Sequence, residues 1–181
     1  MVLLTLAGDS RIMLAQGAID FWNGLFSSLG SGFRLGKVTI TEITQADEEF
    51  TLAFRSMVTK RPGNLPGSPL ERLNRLCGSI VVVLSDRRFI SFASGLPSLG
   101  LVLVGIKNGN SFPLNLPNVA RNVIAHEIGH AIGLGHNADP AMLMCGRPAP
   151  CRPDKVQSNI DRYFPLTDSE KEKLRASYPP G

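Results

Sequence analysis

No stretch of the sequence stays apolar for the roughly 18 or more residues that a membrane-spanning helix needs; the longest uncharged runs are broken by glycine. Charge is sparse at 19% of residues, and the net +4 comes from scattered lysine and arginine that gather only as Lys60-Arg61 and Arg87-Arg88. A nucleic-acid surface needs a clustered basic stripe, so nucleic acid is not an expected partner. Cysteine is also scarce, and Cys77, Cys145 and Cys151 are too few, and odd in number, for a disulfide framework. Cys145 and Cys151 stand near enough in sequence to bridge a small loop; free thiols in a reducing compartment fit the pattern equally. The opening MVLLTLAGDSR lacks a basic start and has too short an apolar core to read as a signal peptide. No DxDxDG cluster occurs, so a calcium loop is not expected.

What the chain does contain suits one globular domain: 181 residues, 43% of them hydrophobic, with 18 glycines and 13 prolines that imply many turns. Val2 to Ala7 reads as a short apolar strand, and Met13, Leu14, Ala18, Phe21, Trp22 and Leu25 recur at helical spacing. Arg34 to Thr41 alternates, with Val38 and Ile40 on one face of a half-buried strand. Thr44 is placed to cap a helix from Gln45 to Thr59, stopped by Pro62-Gly63, and Pro69 suits the start of a short helix through Leu73 and Leu76. The β-branched runs Ser79–Leu84 and Leu101–Ile106 predict two buried strands, separated by a Gly- and Ser-rich loop. Asn118 is a candidate cap for a helix continuing to about Gly133, and Thr167 for a charged closing helix with Leu174 inward, ended by Pro179 and Pro180.

All three histidines of the chain fall within HEIGHAIGLGH, residues 126 to 136. His126 and His130 stand four apart, on one face of a helical turn, where both imidazoles can reach one metal ion. Gly133 can adopt the left-handed conformation that ends the helix and swings the chain, bringing His136 in as a third ligand. Three nitrogens leave a fourth position open, which is the arrangement of a catalytic zinc site and not of a structural one. Glu127, beside the first ligand, is then the natural general base: a carboxylate able to take a proton from an activated water and return it to a leaving amine.

HEIGHAIGLGH resembles HExxHxxGxxH, the extended zinc-binding sequence of the metzincin metalloproteases, at every defining position. That resemblance implies a methionine turn beneath the zinc, and NADPAMLMCG looks like it; Met144, eight residues past His136 and preceded by Leu143, suits the matrixin (matrix metalloproteinase) spacing better than Met142. YFPLTDSEKEKLRASYP is similar to the final helix of matrixins, so the resemblance spans Ser79 to Tyr178. Several features depart from related patterns: Gly146 stands where astacin-like and serralysin-like relatives carry a tyrosine ligand, no histidine remains for a second, structural zinc, and the Gln45 to Thr59 helix and the CGRPAPC loop do not match the matrixin pattern.

The resemblance implies an α/β (α+β) metzincin-like single domain over residues 1–181, with a twisted mixed sheet, a long active-site helix and a C-terminal helix. Its upper part would be 1–136 and its lower part 137–181. It implies one catalytic Zn2+, a protein or peptide substrate extended along an edge strand, a monomer, and a secreted or extracytoplasmic location. Leu101, Val102, Leu103, Val104 and Gly105 are the candidate substrate edge, because strand addition needs free backbone groups. The specificity pocket is expected near Val119 to Val123 and the Met144 to Pro153 loop. Two other functions share these residues: a catalytically silent zinc-containing module that holds a protein partner, and a processing protease or toxin with a single target.

Overall fold

The computed structural model describes residues 1–59, 79–96, 100–110, 112–146, 151 and 161–180. The expected mixed α/β architecture is present: strands β1 (Val2–Thr5), β2 (Thr39–Glu42), β3 (Ile80–Leu84), β4 (Phe92–Leu96) and β5 (Leu101–Ile106) form one sheet in the order β2-β1-β3-β5-β4. All neighbours are parallel except β4, which runs antiparallel to β5. Helices α1 (Arg11–Ser28), α2 (Gln45–Val58), α3 (Pro117–Ala131) and α4 (Asp168–Ser177) complete the described regular structure.

The chain gathers into two compact units, each discontinuous in sequence: Met1–Asp9 with Lys37–Asn108, and Ser10–Gly36 with Gly109–Gly181. In the first unit, Val2, Leu4, Val81, Val83, Leu101 and Leu103 form a core with Phe50 and Phe54 of α2 and with Phe92 and Leu96 of β4. Helix α2 begins where Thr44 predicts. The Thr44 side chain accepts from the Asp47 backbone N–H, and the Asp47 carboxylate accepts in return from the Thr44 N–H at 2.8 Å, a reciprocal cap for two donors the helix leaves open.

Three expectations for this unit need correction. Leu101, Val102, Leu103, Val104 and Gly105 are not an edge: β5 is bonded to β3 on one side and to β4 on the other, so its backbone groups are already spent in the sheet. The stretch before it, read as a loop because of Ser94 and Gly95, contains β4. The phenyl ring of Phe92 lies across Gly105 in the register pair, where any Cβ would overlap it. Strand β2 starts only at Thr39 and is mostly exposed, Ile40 at 56%, because it is the sheet margin and not a half-buried member. The Pro62-Gly63 stop and the short helix from Pro69 through Leu76 lie outside the described residues.

In the second unit α1 packs against α3. Trp22 is fully buried between them, its indole N–H donating to the Ala125 carbonyl at 3.0 Å. Helix α3 begins two residues earlier than an Asn118 cap would place it. Pro117 occupies the first turn behind Leu116, because its fixed φ and missing N–H suit a position whose N–H would be unpaired anyway. Asn118 is instead buried, its carbonyl and side-chain oxygen accepting from the Asn122 amide. Asn122 also reaches residues 162 and 164, donating to the Arg162 carbonyl at 2.9 Å and accepting from the Phe164 N–H at 2.9 Å.

Candidate metal centre

Helix α3 carries His126, Glu127 and His130 in its last turns, and its end is built by Gly133. Gly133 has φ +97°, a conformation costly for any residue with a Cβ. Its N–H donates to the His130 carbonyl at 3.0 Å, and the Leu134 N–H donates back to the Gly129 carbonyl at 3.0 Å. This pair of bonds closes a helix with a left-handed residue and turns the chain away from the axis. The turn brings His136 back to the two helical histidines.

The Nε2 atoms of the three rings converge: His130 to His126 at 3.0 Å, His130 to His136 at 3.0 Å and His126 to His136 at 3.3 Å. Nδ1 of His126 lies 2.7 Å from the Leu143 carbonyl and Nδ1 of His130 lies 2.8 Å from the Leu134 carbonyl. A carbonyl oxygen only accepts, so these Nδ1 atoms carry the proton and both Nε2 atoms present lone pairs to the common centre. Converging lone pairs repel unless a cation lies among them. Tetrahedral zinc with Zn–N near 2.0–2.1 Å separates its nitrogens by roughly 3.3–3.4 Å; the triangle here has one edge of 3.3 Å and two of 3.0 Å, slightly tighter than that and open to an ion of this size with a small outward shift of His130. Burial, the largest influence, lowers the His130 pKa from its ordinary value; the Leu134 carbonyl opposes this and the nearby His136 adds to it. The neutral ligand form is thereby favoured. Among the described residues this trio is the one group of histidine, cysteine and carboxylate side chains close enough to hold an ion.

Glu127 follows His126 directly and is buried, with 8% exposure. Met144 is fully buried while Met142 is half-buried. Met144 packs on α3 at Gly129, where an added Cβ would stand 2.6 Å from its sulfur and 3.0 Å from the Trp22 ring. The segment between His136 and Met144 folds back on itself: the Asn137 N–H donates to the Met144 carbonyl at 2.9 Å, and the Gly146 N–H to the Asn137 carbonyl at 3.0 Å. The ring of His136 lies against Gly146, leaving no room for a Cβ there. Cys145 and Cys151 form a disulfide, with Cα atoms 5.7 Å apart, which decides between the two alternatives open in the sequence. Val119 is buried, and most of the stretch from Met144 to Pro153 expected to help line a pocket lies outside the described residues. The edge expected at Leu101–Gly105 belongs to the interior of the other unit's sheet.

Sequence reasoning missed Asn137 and Glu170. The Asn137 amide donates to a Glu170 carboxylate oxygen at 2.7 Å. Thr167 followed three residues later by Glu170 signals a helix cap, but nothing in that spacing points to residue 137.

The matrixin family profile (Peptidase M10) matches residues 27–162. No curated protein matches the chain. Among solved structures, the chain is similar to a zinc-dependent peptidase from Methanocorpusculum labreanum, with 16% identity, TM-score 0.41, and coverage of 96% of this chain and 100% of that one. It is also similar to archaemetzincin from Methanopyrus kandleri, with 18% identity, TM-score 0.44, and coverage of 98% and 94%.

Proposed function

The chain belongs to the matrixin family of zinc-dependent peptidases, and from that premise we propose that it is an endopeptidase whose single zinc ion is held by His126, His130 and His136. The observation that carries this reading is the convergence of three Nε2 atoms, two of them on rings whose Nδ1 faces a backbone carbonyl, which holds the ring proton there and leaves Nε2 its lone pair. A zinc ion there would acidify a water and polarise the scissile carbonyl. Glu127 takes the proton from the attacking water and delivers it to the leaving amine nitrogen, so the peptide bond breaks with one water consumed. Leu143 and Leu134 orient the rings through their carbonyls, and Met144 supports the floor of the site from below Gly129. The whole chain, 1–181, works as one catalytic domain and as a monomer on exposed protein or peptide. The Cys145–Cys151 disulfide supports a secreted or extracytoplasmic location, where such bonds persist.

Cleavage of a quenched fluorescent peptide library, with bound zinc quantified, tests the reading. Activity that disappears on chelation and falls by about 10² or more in Glu127→Ala, with zinc still bound, is the expected result. One equivalent of zinc without cleavage of any peptide would instead favour the silent binding module or the single-target protease. Absence of zinc binding sinks the proposal.

A further inference from the structure

His126 and His130 are set by α3, but His136 is exposed and lies beyond the helix end, so something else must hold it at the centre. Its neighbour Asn137 uses every polar group it has. The backbone N–H and carbonyl bind Met144 and Gly146, the side-chain oxygen accepts from the Asp139 N–H at 2.9 Å, and the amide donates to Glu170 Oε1 at 2.7 Å. Glu170 is buried at 8% exposure in the first turn of α4, where its other oxygen accepts from the Thr167 N–H at 2.8 Å. Capping α4 needs only that second oxygen and is ordinarily a surface arrangement. Burying a carboxylate is costly unless it is well hydrogen-bonded, and here the first oxygen is spent on the residue next to the third histidine.

From this we infer that the Asn137–Glu170 pair is a positioning device for His136: the C-terminal helix holds the third metal ligand in place through a single side-chain bond. The inference rests on the zinc reading above. Because Asn137 also fixes Gly146, against which the His136 ring lies, loss of the pair loosens both the backbone before the ring and the surface beside it.

The test is the zinc dissociation constant of the full chain, measured by chelator competition. Asn137→Asp sets two carboxylates against each other, and Glu170→Gln leaves one amide facing either the Asn137 amide or the Thr167 N–H. The double variant Asn137→Asp/Glu170→Gln restores both bonds with the first reversed in direction. Each single variant is expected to bind zinc about 10-fold more weakly or worse, and the double variant to recover to within about 3-fold of the parent. Thr167→Ala, which weakens the cap of α4 and leaves the pair intact, is expected to keep the parent's affinity while lowering thermal stability. Should Glu170→Gln not fold, Asn137→Ala removes the same bond, together with the acceptor for the Asp139 N–H, with the cap untouched, and is expected to show at least the same loss. Unchanged affinity in the single variants, no recovery in the double, or an equal loss in Thr167→Ala would overturn the inference. Zinc stoichiometry in the parent reports separately on the metal centre itself.

Discussion

The three histidines are held in two different ways. His126 and His130 ride on α3, where four-residue spacing alone puts two rings on one face. His136 arrives on a segment without regular structure, held by Gly133, Asn137, Gly146 and Glu170, residues that are up to 37 positions apart. The contrast is incomplete in an instructive way, because the helical pair depends on tertiary contacts as well. The Leu143 carbonyl, from the segment after His136, fixes the tautomer of His126. Helical spacing brings rings together; it does not decide which nitrogen faces the common centre.

The strongest attack on the loop-borne side is Gly146→Ala, whose methyl would overlap the His136 ring. Zinc affinity is expected to fall by on the order of 10-fold or more, with the fold retained by circular dichroism. An unchanged dissociation constant would mean that the ring position is set elsewhere. At the turn between the two sides, Gly133→Ala forces a Cβ into φ +97° and is expected to cost about 1–2 kcal/mol in denaturant unfolding. Among the described residues nothing lies within 4 Å of that Cβ, so a much larger loss would point to a cause other than backbone strain.

The smallest effect comes from Tyr178, whose hydroxyl donates to the Ile132 carbonyl at 3.1 Å and so steadies the C-terminal cap of α3. Tyr178→Phe is expected to cost about 1 kcal/mol at neutral pH. Burial raises the Tyr178 pKa above 10.0, so the unfolded chain loses that proton first. The associated stabilisation is complete below pH 10.0 and declines as pH rises through the folded-state pKa. Stability curves across the alkaline range should therefore be flatter for Tyr178→Phe. Some slope remains from Tyr163, which burial also raises, Arg121 opposing and Asp20 assisting.

Much of the fold was legible because its causes are local. Thr44 and Thr167 stand at the caps they predict, each paired with a carboxylate three residues on. The β-branched runs became β3 and β5 because strands buried on both faces need unbroken apolar side chains. Strand β4 was hidden because Ser94 and Gly95 weaken its own signal, and its place depends on Phe92 finding the space above Gly105. The interior place of β5 is illegible for a related reason: a strand's composition says that it is buried, while its neighbours decide whether it is an edge. Pro117 displaced Asn118 as the start of α3 because a proline in the first turn needs no capping partner.

Residue order alone determined the three imidazoles, the carboxylate beside the first, and the glycine that ends their helix, because helix pitch and backbone sterics act over a few residues. Tertiary structure alone decided the strand order, the bond between Cys145 and Cys151, the tautomers facing the centre and the Glu170 support for the third histidine. The strand order, the Leu143 carbonyl behind His126 and the Glu170 support depend on groups meeting across long stretches of chain, which no spacing within one segment encodes; the disulfide spans only six residues, but whether its two thiols meet is set by the loop's folded path.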